Sequence, residues 1–197
     1  FIAKGYKRES ILERAKRHLE DARFAAEAIQ KPVPFDLQNV GAPISSSSPE
    51  YLPLLSADGN TMTFTRRVGN QEDFFTGEKV NGVWTNVRPI DELNSPFNEG
   101  AQSISADGRL MVFTFCQSGP DQGGCDLFYA EKCGGSWSKP KRIEGNINTQ
   151  AWEAQPSLNA DGSLLLFASD RPGGEGGRDI WASRRSRNGR WGNPVNL

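Results

Sequence analysis

A segment of about fifty residues occurs three times in this chain, and no other feature of the sequence limits the possible folds as strongly. Each copy holds a glutamate, a Ser/Asn-Ala-Asp-Gly tetrapeptide that starts six residues later, an Asp followed by two apolar residues, and a tryptophan 11 or 12 residues after that Asp. The tetrapeptide aspartate recurs after 49 and then 54 residues. The repeated positions are Glu50, Glu99 and Glu153; Asp58-Gly59, Asp107-Gly108 and Asp161-Gly162; Asp73, Asp126 and Asp179; and Trp84, Trp137 and Trp191. The chain is therefore expected to fold as an array of similar units.

Within each copy, two turn signals separate runs of strand-forming residues. Asp-Gly between apolar stretches predicts a hairpin turn of type I′ between strands one and two, because glycine accepts the positive φ that this turn needs. The second strand is almost continuously apolar at 110–113 and 164–167, as in a strand buried on both faces. A second turn, at 80–83, 133–136 and 187–190, leads to the repeated tryptophan and an outer strand. The repeated aspartate before the second turn is expected to open the third strand.

Four short strands in a repeat of about 40 to 50 residues are typical of a propeller blade. The sequence therefore predicts an all-β fold, a partial β-propeller of about three four-stranded blades over residues 35–197. Propellers typically have about 4–8 blades, so we expect one or more blades to follow in the full protein and complete the ring. Residues 35–40 resemble the outer-strand stretch at 89–95 and are expected to supply the outer strand of the last blade.

The first 34 residues predict an amphipathic helix instead of strands. Ser10 and Glu13 fit a capping box, and apolar residues follow at i, i+3 and i+4 spacing from about Glu9 to Gln30. Pro32 and Pro34 lie beyond the end of the pattern. Small alanines on the apolar face permit close helix contacts, so we interpret residues 1–34 as the C-terminal helix and linker of a helical-repeat, tetratricopeptide-like module. The chain begins in mid-pattern, and we interpret it as a fragment or a processed product.

Composition excludes several classes of function. The net charge of −1 does not indicate nucleic-acid binding. His18 is the single histidine and lies far in sequence from every cysteine and Gly-rich loop, which argues against Ser-His-Asp and Cys-His catalysis. The sequence has no closely spaced Cys or His ligands for zinc, and the Gly-rich stretch 173–177 lacks the Gly-Lys-Ser/Thr of a phosphate loop. We expect no cofactor, no metal, no nucleic-acid partner and, without a long apolar run, no transmembrane segment.

The repeat motifs resemble the WD-like repeats of the TolB family, which read Ser-x-Asp-Gly, an apolar strand, an Arg/Gly loop, Asp-aromatic and Gly-x-Trp-x-x-Pro. The stretch 169–174 and Asp179-Ile180-Trp181 match that pattern closely. A helix that leads directly into glutamate-led blades, such as those at 98–108 and 152–157, is similar to PorE-type proteins of the type IX secretion system. Those proteins are periplasmic and outer-membrane-associated, and they carry an OmpA-like peptidoglycan-binding domain that these residues do not contain.

This resemblance implies a non-catalytic, periplasmic protein-interaction scaffold whose partners are other envelope or secretion-system proteins. Peptidoglycan binding is implied only through the domain absent from this chain. Two alternatives remain from the residues themselves. The repeated tryptophans could form sugar-stacking platforms of a carbohydrate-binding module, although packing between strands explains them as well. The repeated glutamates could serve as paired carboxylates of a propeller glycosidase, although a residue repeated in every blade is more simply structural.

Cys116 and Cys125 flank the loop between the second and third strands of the middle repeat, at matching strand ends. That placement brings their Cα atoms close, and we predict a disulfide, which would suit an oxidising periplasm. Cys133 would then be free. The alternative is three reduced thiols.

Overall fold

The computed structural model of the chain describes residues 11–117 and 124–197. It divides into two compact units, one that ends at Asn39 and one from Val40 to Leu197. The sequence had suggested a division after residue 34, five residues earlier.

The first unit contains one helix, α1, which spans Ile11–Gln30. It ends two residues before Pro32, as the sequence predicts, and its last turn closes with a bond from the Lys31 amide to the Ala28 carbonyl. None of its residues is buried. Ser10 of the predicted capping box lies outside the described residues.

The second unit is built from three antiparallel sheets, one for each sequence repeat, and we call them blades 1, 2 and 3. In each blade the strands lie side by side in chain order. Blade 1 contains β1 Glu50–Leu55, β2 Thr61–Val68, β3 Gln71–Val80 and β4 Val83–Pro89. Blade 2 contains β5 Asn98–Ile104, β6 Leu110–Gln117, β7 Gly124–Cys133, β8 Ser136–Trp137 and β9 Lys141–Arg142. Blade 3 contains β10 Glu153–Leu158, β11 Leu164–Ser169, β12 Asp179–Arg184 and β13 Val195–Asn196. The outer strand of blade 2 is split because β8 and β9 pair with different parts of β7.

The Asp-Gly turns join the first and second strands as predicted, but their predicted type is wrong. In blade 1 the Gly59 amide donates to the Ser56 carbonyl, so the glycine is the fourth residue of the turn, and of the Asp-Gly pair it alone has a positive φ, 71°. A type I′ turn would need positive φ at the Asp as well. The carboxylate of Asp58 instead accepts bonds from the Ser56 hydroxyl at 2.5 Å and the Asn60 amide at 3.0 Å. This network explains why the motif needs a short polar residue two positions before the Asp.

The third strands of blades 1 and 2 begin earlier than predicted. β3 begins at Gln71 and β7 at Gly124, two residues before the repeated aspartates at 73 and 126. In blade 1 the ladder continues to the pair Val68 and Gln71, because Gly69 turns the chain with a φ of 65°. In blade 3, Asp179 does open its strand, β12.

Residues 35–40 form no strand, so the predicted outer strand at this place is wrong. An outer strand has to bond to the third strand of its own blade, and the described residues provide no free third strand for it. The connection that follows residue 40 packs against its blade, as the connections before blades 2 and 3 do. Ile44 of this connection is buried against Met62 and Phe64 of blade 1.

The core lies between blades, and the central strand β6 is buried on both faces, as its apolar run predicts. Met111 and Phe113 pack against Phe74 of blade 1. Val112, on the opposite face of β6, packs in a cluster with Leu165 of blade 3. All five side chains are fully buried, so each blade acts as a wall of its neighbour's core.

Blade 3 presents one face without a neighbouring blade in the described chain. The first apolar residue after the repeated aspartate is Phe74 in blade 1, Leu127 in blade 2 and Ile180 in blade 3, and its exposure is 0%, 0% and 56%. The same contrast holds on the far side of blade 1, where Leu55 is exposed while Ile104 and Leu158, its counterparts, are partly buried.

Each inner strand contains one residue with positive φ at the same repeat position, although none of these residues is a glycine. They are Leu52, Ala101 and Gln155, with φ of 53°, 50° and 55°. Each lies where the register to the second strand shifts, so each marks a β-bulge. In blade 3 the bulge turns the Gln155 amide towards blade 2, where it donates to the Thr114 hydroxyl at 3.0 Å.

Candidate interaction surface

The blades have two ends, and we call the end where the second strand leads to the third strand the loop end. It contains the connections at 68–71 and 169–179 and the strand ends at Gln117 and Gly124, and the repeated glutamates are the first or second residues of the inner strands there. The Asp-Gly turns lie at the opposite end. Loops placed on a rigid scaffold are the usual carriers of binding function, so the loop end is the first place to look for a contact surface.

A cleft of about 560 Å³ opens at the loop end, between blade 2 and the connection that leads to blade 3. Its floor contains Phe115 and Phe128, whose ring centroids are 4.6 Å apart. Phe97, which is 39% exposed, extends this aromatic surface and meets Phe115 edge to face at 5.5 Å. Thr149 and Gln150 form part of the opposite wall. The cleft therefore combines aromatic surface with polar groups that could direct a ligand.

An ion pair lies beside the aromatic floor of the cleft. The guanidinium of Arg142 binds the carboxylate of Asp126 through two bonds of 2.9 and 2.8 Å. The hydrogen bond to Asp126 raises the pKa of Arg142 above its ordinary value. Both side chains are partly exposed, 47% and 33%, so the pair can still accept further contacts from a partner.

The disulfide between Cys116 and Cys125 lies on the rim of this cleft. The two residues are directly opposite each other in the β6–β7 ladder, with Cα atoms 4.2 Å apart. Cys133 is a free, exposed cysteine at the end of β7. The bond ties together the two strands that support the cleft.

We expect loss of the disulfide to lower the free energy of unfolding by about 2–3 kcal/mol, because the bond closes a loop of nine residues' separation in the unfolded chain. The measurement is urea unfolding of the double variant Cys116→Ser/Cys125→Ser. Cys133→Ser is the control and should match the wild type. Thiol labelling without reductant should modify one cysteine, and labelling of all three would contradict the pairing.

The three repeated glutamates share one local arrangement. Each is held at the start of its own blade by a hydroxyl four residues earlier, from Ser46, Ser95 or Thr149. The glutamates thus fasten each connection to the inner strand that follows it.

Two arginines near the ends of second strands complete this arrangement, and the sequence reasoning did not single them out. Arg66 binds Glu50 at 2.9 Å and also donates to the carbonyl of Ile44. Arg171 binds Glu153 at 3.1 Å and donates to the carbonyl of Ile147. Burial alone would raise the pKa of Glu50, but bonds from Ser46 and the Arg66 guanidinium hold it below its ordinary value. The two arginines follow the aspartates of their Asp-Gly turns by eight and ten residues, so an alignment of the repeats does not place them in one column and could not have revealed the pairs.

The repeated tryptophans are half-buried next to the inter-strand clusters, and each lies under a cation of its own blade. Lys79 is 5.5 Å from the ring of Trp84, Lys132 is 5.4 Å from Trp137, and Arg185 is 5.9 Å from Trp191. Each cation covers one face of its ring, which reduces the surface that a sugar could stack on.

Within 11–117 and 124–197, no three His, Cys, Asp or Glu side chains gather as a metal site would require. In the same part of the chain, no helix combines the length and apolar character of a membrane span.

No protein-family model and no curated protein matches the chain. Among solved structures it is similar to TolB from Acinetobacter baumannii, with 19% identity and a TM-score of 0.52, over 93% of this chain and 47% of that one. It is also similar to a puromycin-hydrolyzing peptidase of Mycobacterium tuberculosis, with 15% identity and a TM-score of 0.53, over 76% of this chain and 23% of that one. The chain thus spans less than half the length of either protein. These likenesses show a TolB-like β-propeller fold, which confirms the propeller in the predicted fold class. They do not show a tetratricopeptide-like origin for α1, and they leave the activity open.

Proposed function

We propose that the chain is part of a non-catalytic propeller that binds other proteins in the periplasm, within an outer-membrane and peptidoglycan-associated assembly of the type IX secretion kind. The cleft at the loop end carries the proposal, because it sets the aromatic rings of Phe97, Phe115 and Phe128 beside the Arg142–Asp126 pair. Aromatic residues and arginine are enriched where proteins bind proteins. The disulfide on the rim suits an oxidising compartment. The resemblance to TolB and PorE-type proteins is the reason for proposing the periplasm as that compartment.

A binding role accounts for the glutamates better than an enzymatic one. A glycosidase needs two carboxyl groups on either side of one scissile bond. Here the glutamates lie in three different blades, and each accepts a hydrogen bond from a hydroxyl of the connection before its own strand. The tetratricopeptide-like and OmpA-like parts of the proposal concern a longer parent protein, so this chain itself is expected not to sediment with purified peptidoglycan.

The test is a pull-down from the solubilised envelope of the source organism, with this chain as bait. We expect recovery of an envelope or secretion-system protein, and loss of that protein when Gln150 is changed to arginine and Phe97 to aspartate. Both residues are exposed, so the fold should survive these changes. Ala57→Arg at the opposite end of blade 1 is the matched control. Recovery of no envelope component, or equal recovery by the cleft variant, would count against the proposal.

The second candidate is a carbohydrate-binding module, favoured by the polar wall of Thr149 and Gln150 over an aromatic floor. A glycan array separates the two functions. Binding of a glycan that is lost in the Gln150→Arg variant would replace the protein-binding proposal, whereas an array without hits would remove this candidate.

A further inference from the structure

Each inner strand has a glutamate as its first or second residue, and the three blades differ in the groups that surround this carboxylate. The glutamates of blades 1 and 3 each have a guanidinium partner, Arg66 for Glu50 and Arg171 for Glu153. Arg66 lies directly opposite its glutamate in the ladder, and Arg171 follows the residue opposite Glu153 by two positions. Two different positions in the repeat can therefore supply the cation.

Blade 2 has neither arginine. Phe115 lies opposite Glu99 in the β5–β6 ladder, and Gln117 stands two residues further on. The Phe115 ring packs against Phe128 at an interplanar angle of 39°, and in blade 1 the Arg66 guanidinium lies over the ring of Phe75 in the corresponding place. Glu99 is 0% exposed, and its carboxylate accepts hydrogen bonds from the hydroxyl and the amide of Ser95. Among the described residues, no cation pairs with this fully buried carboxylate.

A second carboxylate, that of the repeated aspartate, lies at each junction between neighbouring blades. The described residues provide it with a cation at one junction and not at the other. At the junction of blades 2 and 3, the repeated aspartate Asp126 is bound by Arg142. At the junction of blades 1 and 2 its counterpart is Asp73, and Pro89 takes the repeat position of Arg142. Asp73 accepts a bond from the Gln71 side-chain amide, which also donates to the Ser95 carbonyl.

These surroundings favour the protonated acids. Burial raises the pKa of Glu99 to about 7 against the opposing bonds from Ser95, and the negative charge of Asp73 adds to the rise. Burial also raises the pKa of Asp73, which the bond from Gln71 opposes.

The other charged groups near this junction are already engaged. Glu72 interacts with the hydroxyl of Tyr51. Arg66 donates to Glu50 and to the carbonyls of Pro43 and Ile44. On the β6 side, Phe115 is uncharged and Cys116 is in the disulfide, which does not titrate.

We propose that Glu99 and Asp73 form a proton-binding site in the junction between blades 1 and 2, and that this junction weakens when Glu99 loses its proton. The junction of blades 2 and 3 keeps its strength over the same pH range, because its two carboxylates carry guanidinium partners. The fold thereby contains one pH-sensitive joint and one pH-insensitive joint of otherwise similar construction.

The direction of the pH dependence follows from the raised pKa. The folded chain holds the Glu99 proton more tightly than the unfolded chain, whose glutamate has an ordinary value of 4.5. The stabilisation is therefore complete below about 4.5 and is lost as pH rises to about 7. A shift of this size corresponds to an increase of the unfolding equilibrium constant by roughly two orders of magnitude across that window.

The test is urea unfolding of the whole chain at a series of pH values from about 4.5 to 8, with Glu99→Gln as the permanently neutral variant. We expect the wild type to lose stability relative to Glu99→Gln as pH rises. Phe115→Arg places a guanidinium opposite Glu99, as Arg66 lies opposite Glu50 in blade 1. The stability of this variant should therefore not fall over the pH range in which the wild type loses stability. Glu131→Gln, at an exposed ion pair, is the matched control and should follow the wild type. Parallel profiles of the wild type and Glu99→Gln would overturn the proposal.

A measurement on the unsubstituted chain tests the proposal even if one of the variants fails to fold. Carbon-13 NMR of the glutamate carboxyl groups should show one group that titrates near pH 7, and its signal should be absent from Glu99→Gln. Amide exchange of Glu72, whose N–H donates to the Asn98 side chain across the junction at 3.0 Å, should accelerate as that group ionises. A Glu99 carboxyl that titrates near its ordinary value would contradict the proton site directly.

Discussion

Replacement of Arg171 by methionine is expected to lower the free energy of unfolding by about 3–5 kcal/mol, because it leaves the charged Glu153 buried without its cation. The side chains of Arg171 and Glu153 are 8% and 0% exposed, so water cannot replace the lost partner. The variant also loses the bonds from the guanidinium to the carbonyls of Asn146 and Ile147, which hold the connection before blade 3. Urea unfolding at neutral pH measures the change.

Two further variants show whether the unpaired charge causes this loss. Arg171→Met/Glu153→Gln removes the stranded charge and should be more stable than Arg171→Met alone. Glu131→Gln breaks the ion pair with Arg185, in which Glu131 is 49% exposed, and should cost no more than about 1 kcal/mol. A loss for Arg171→Met as small as that for Glu131→Gln would contradict the structural role of the buried pair.

The second large effect is expected at Leu127, where substitution by alanine should cost about 2–5 kcal/mol. Leu127 is 0% exposed and fills the cluster between blades 2 and 3 with Val112 and Phe167. The comparison variant is Ile180→Ala at the same repeat position of blade 3, where the side chain is 56% exposed and the cost should stay below about 1 kcal/mol. Urea unfolding of the pair at equal protein concentration measures the difference.

The comparison of Leu127 and Ile180 also reports on the open face of blade 3. If Ile180→Ala costs as much as Leu127→Ala, that face is covered in solution and the description of it as exposed is wrong. Repeating both measurements over a range of protein concentrations would show whether a second molecule provides the cover, since only then does the cost depend on concentration.

The blades could be predicted from the sequence because local chemistry and burial agree in the repeats. Asp-Gly forms part of the turn of the first hairpin in each blade. In blade 1, Asn81-Gly82 forms the turn of the last hairpin, with φ of 51° and 82°. The apolar run of β6 is explained by the two neighbouring blades that cover it. The turn type was wrong because a dipeptide does not reveal which of its residues takes positive φ, and here a hydrogen-bond network around Asp58 decides it.

The candidate site could be predicted only in part. The insertion between Cys116 and Cys125 marks the loop end of blade 2, but the cleft depends on how the connection at Thr149 and Gln150 passes beside it. That arrangement involves residues from two repeats, and spacing within one repeat cannot show it. Residues 35–40 were misassigned for a related reason. Their composition is strand-like, but an outer strand forms only beside the third strand of its blade, and composition does not show whether that strand is available.

The bulge in the inner strands left no trace in the sequence, since Leu52, Ala101 and Gln155 have no chemistry in common. In blade 3 the group that crosses to the neighbouring blade from this position is a main-chain amide, which any residue except proline can offer. The bond between blades 2 and 3 at this point therefore requires no particular side-chain group. When a gene duplicates such a repeat, the side chain at this position can change its chemistry without loss of that bond, and the limit on the change is the positive φ, which β-branched residues tolerate poorly.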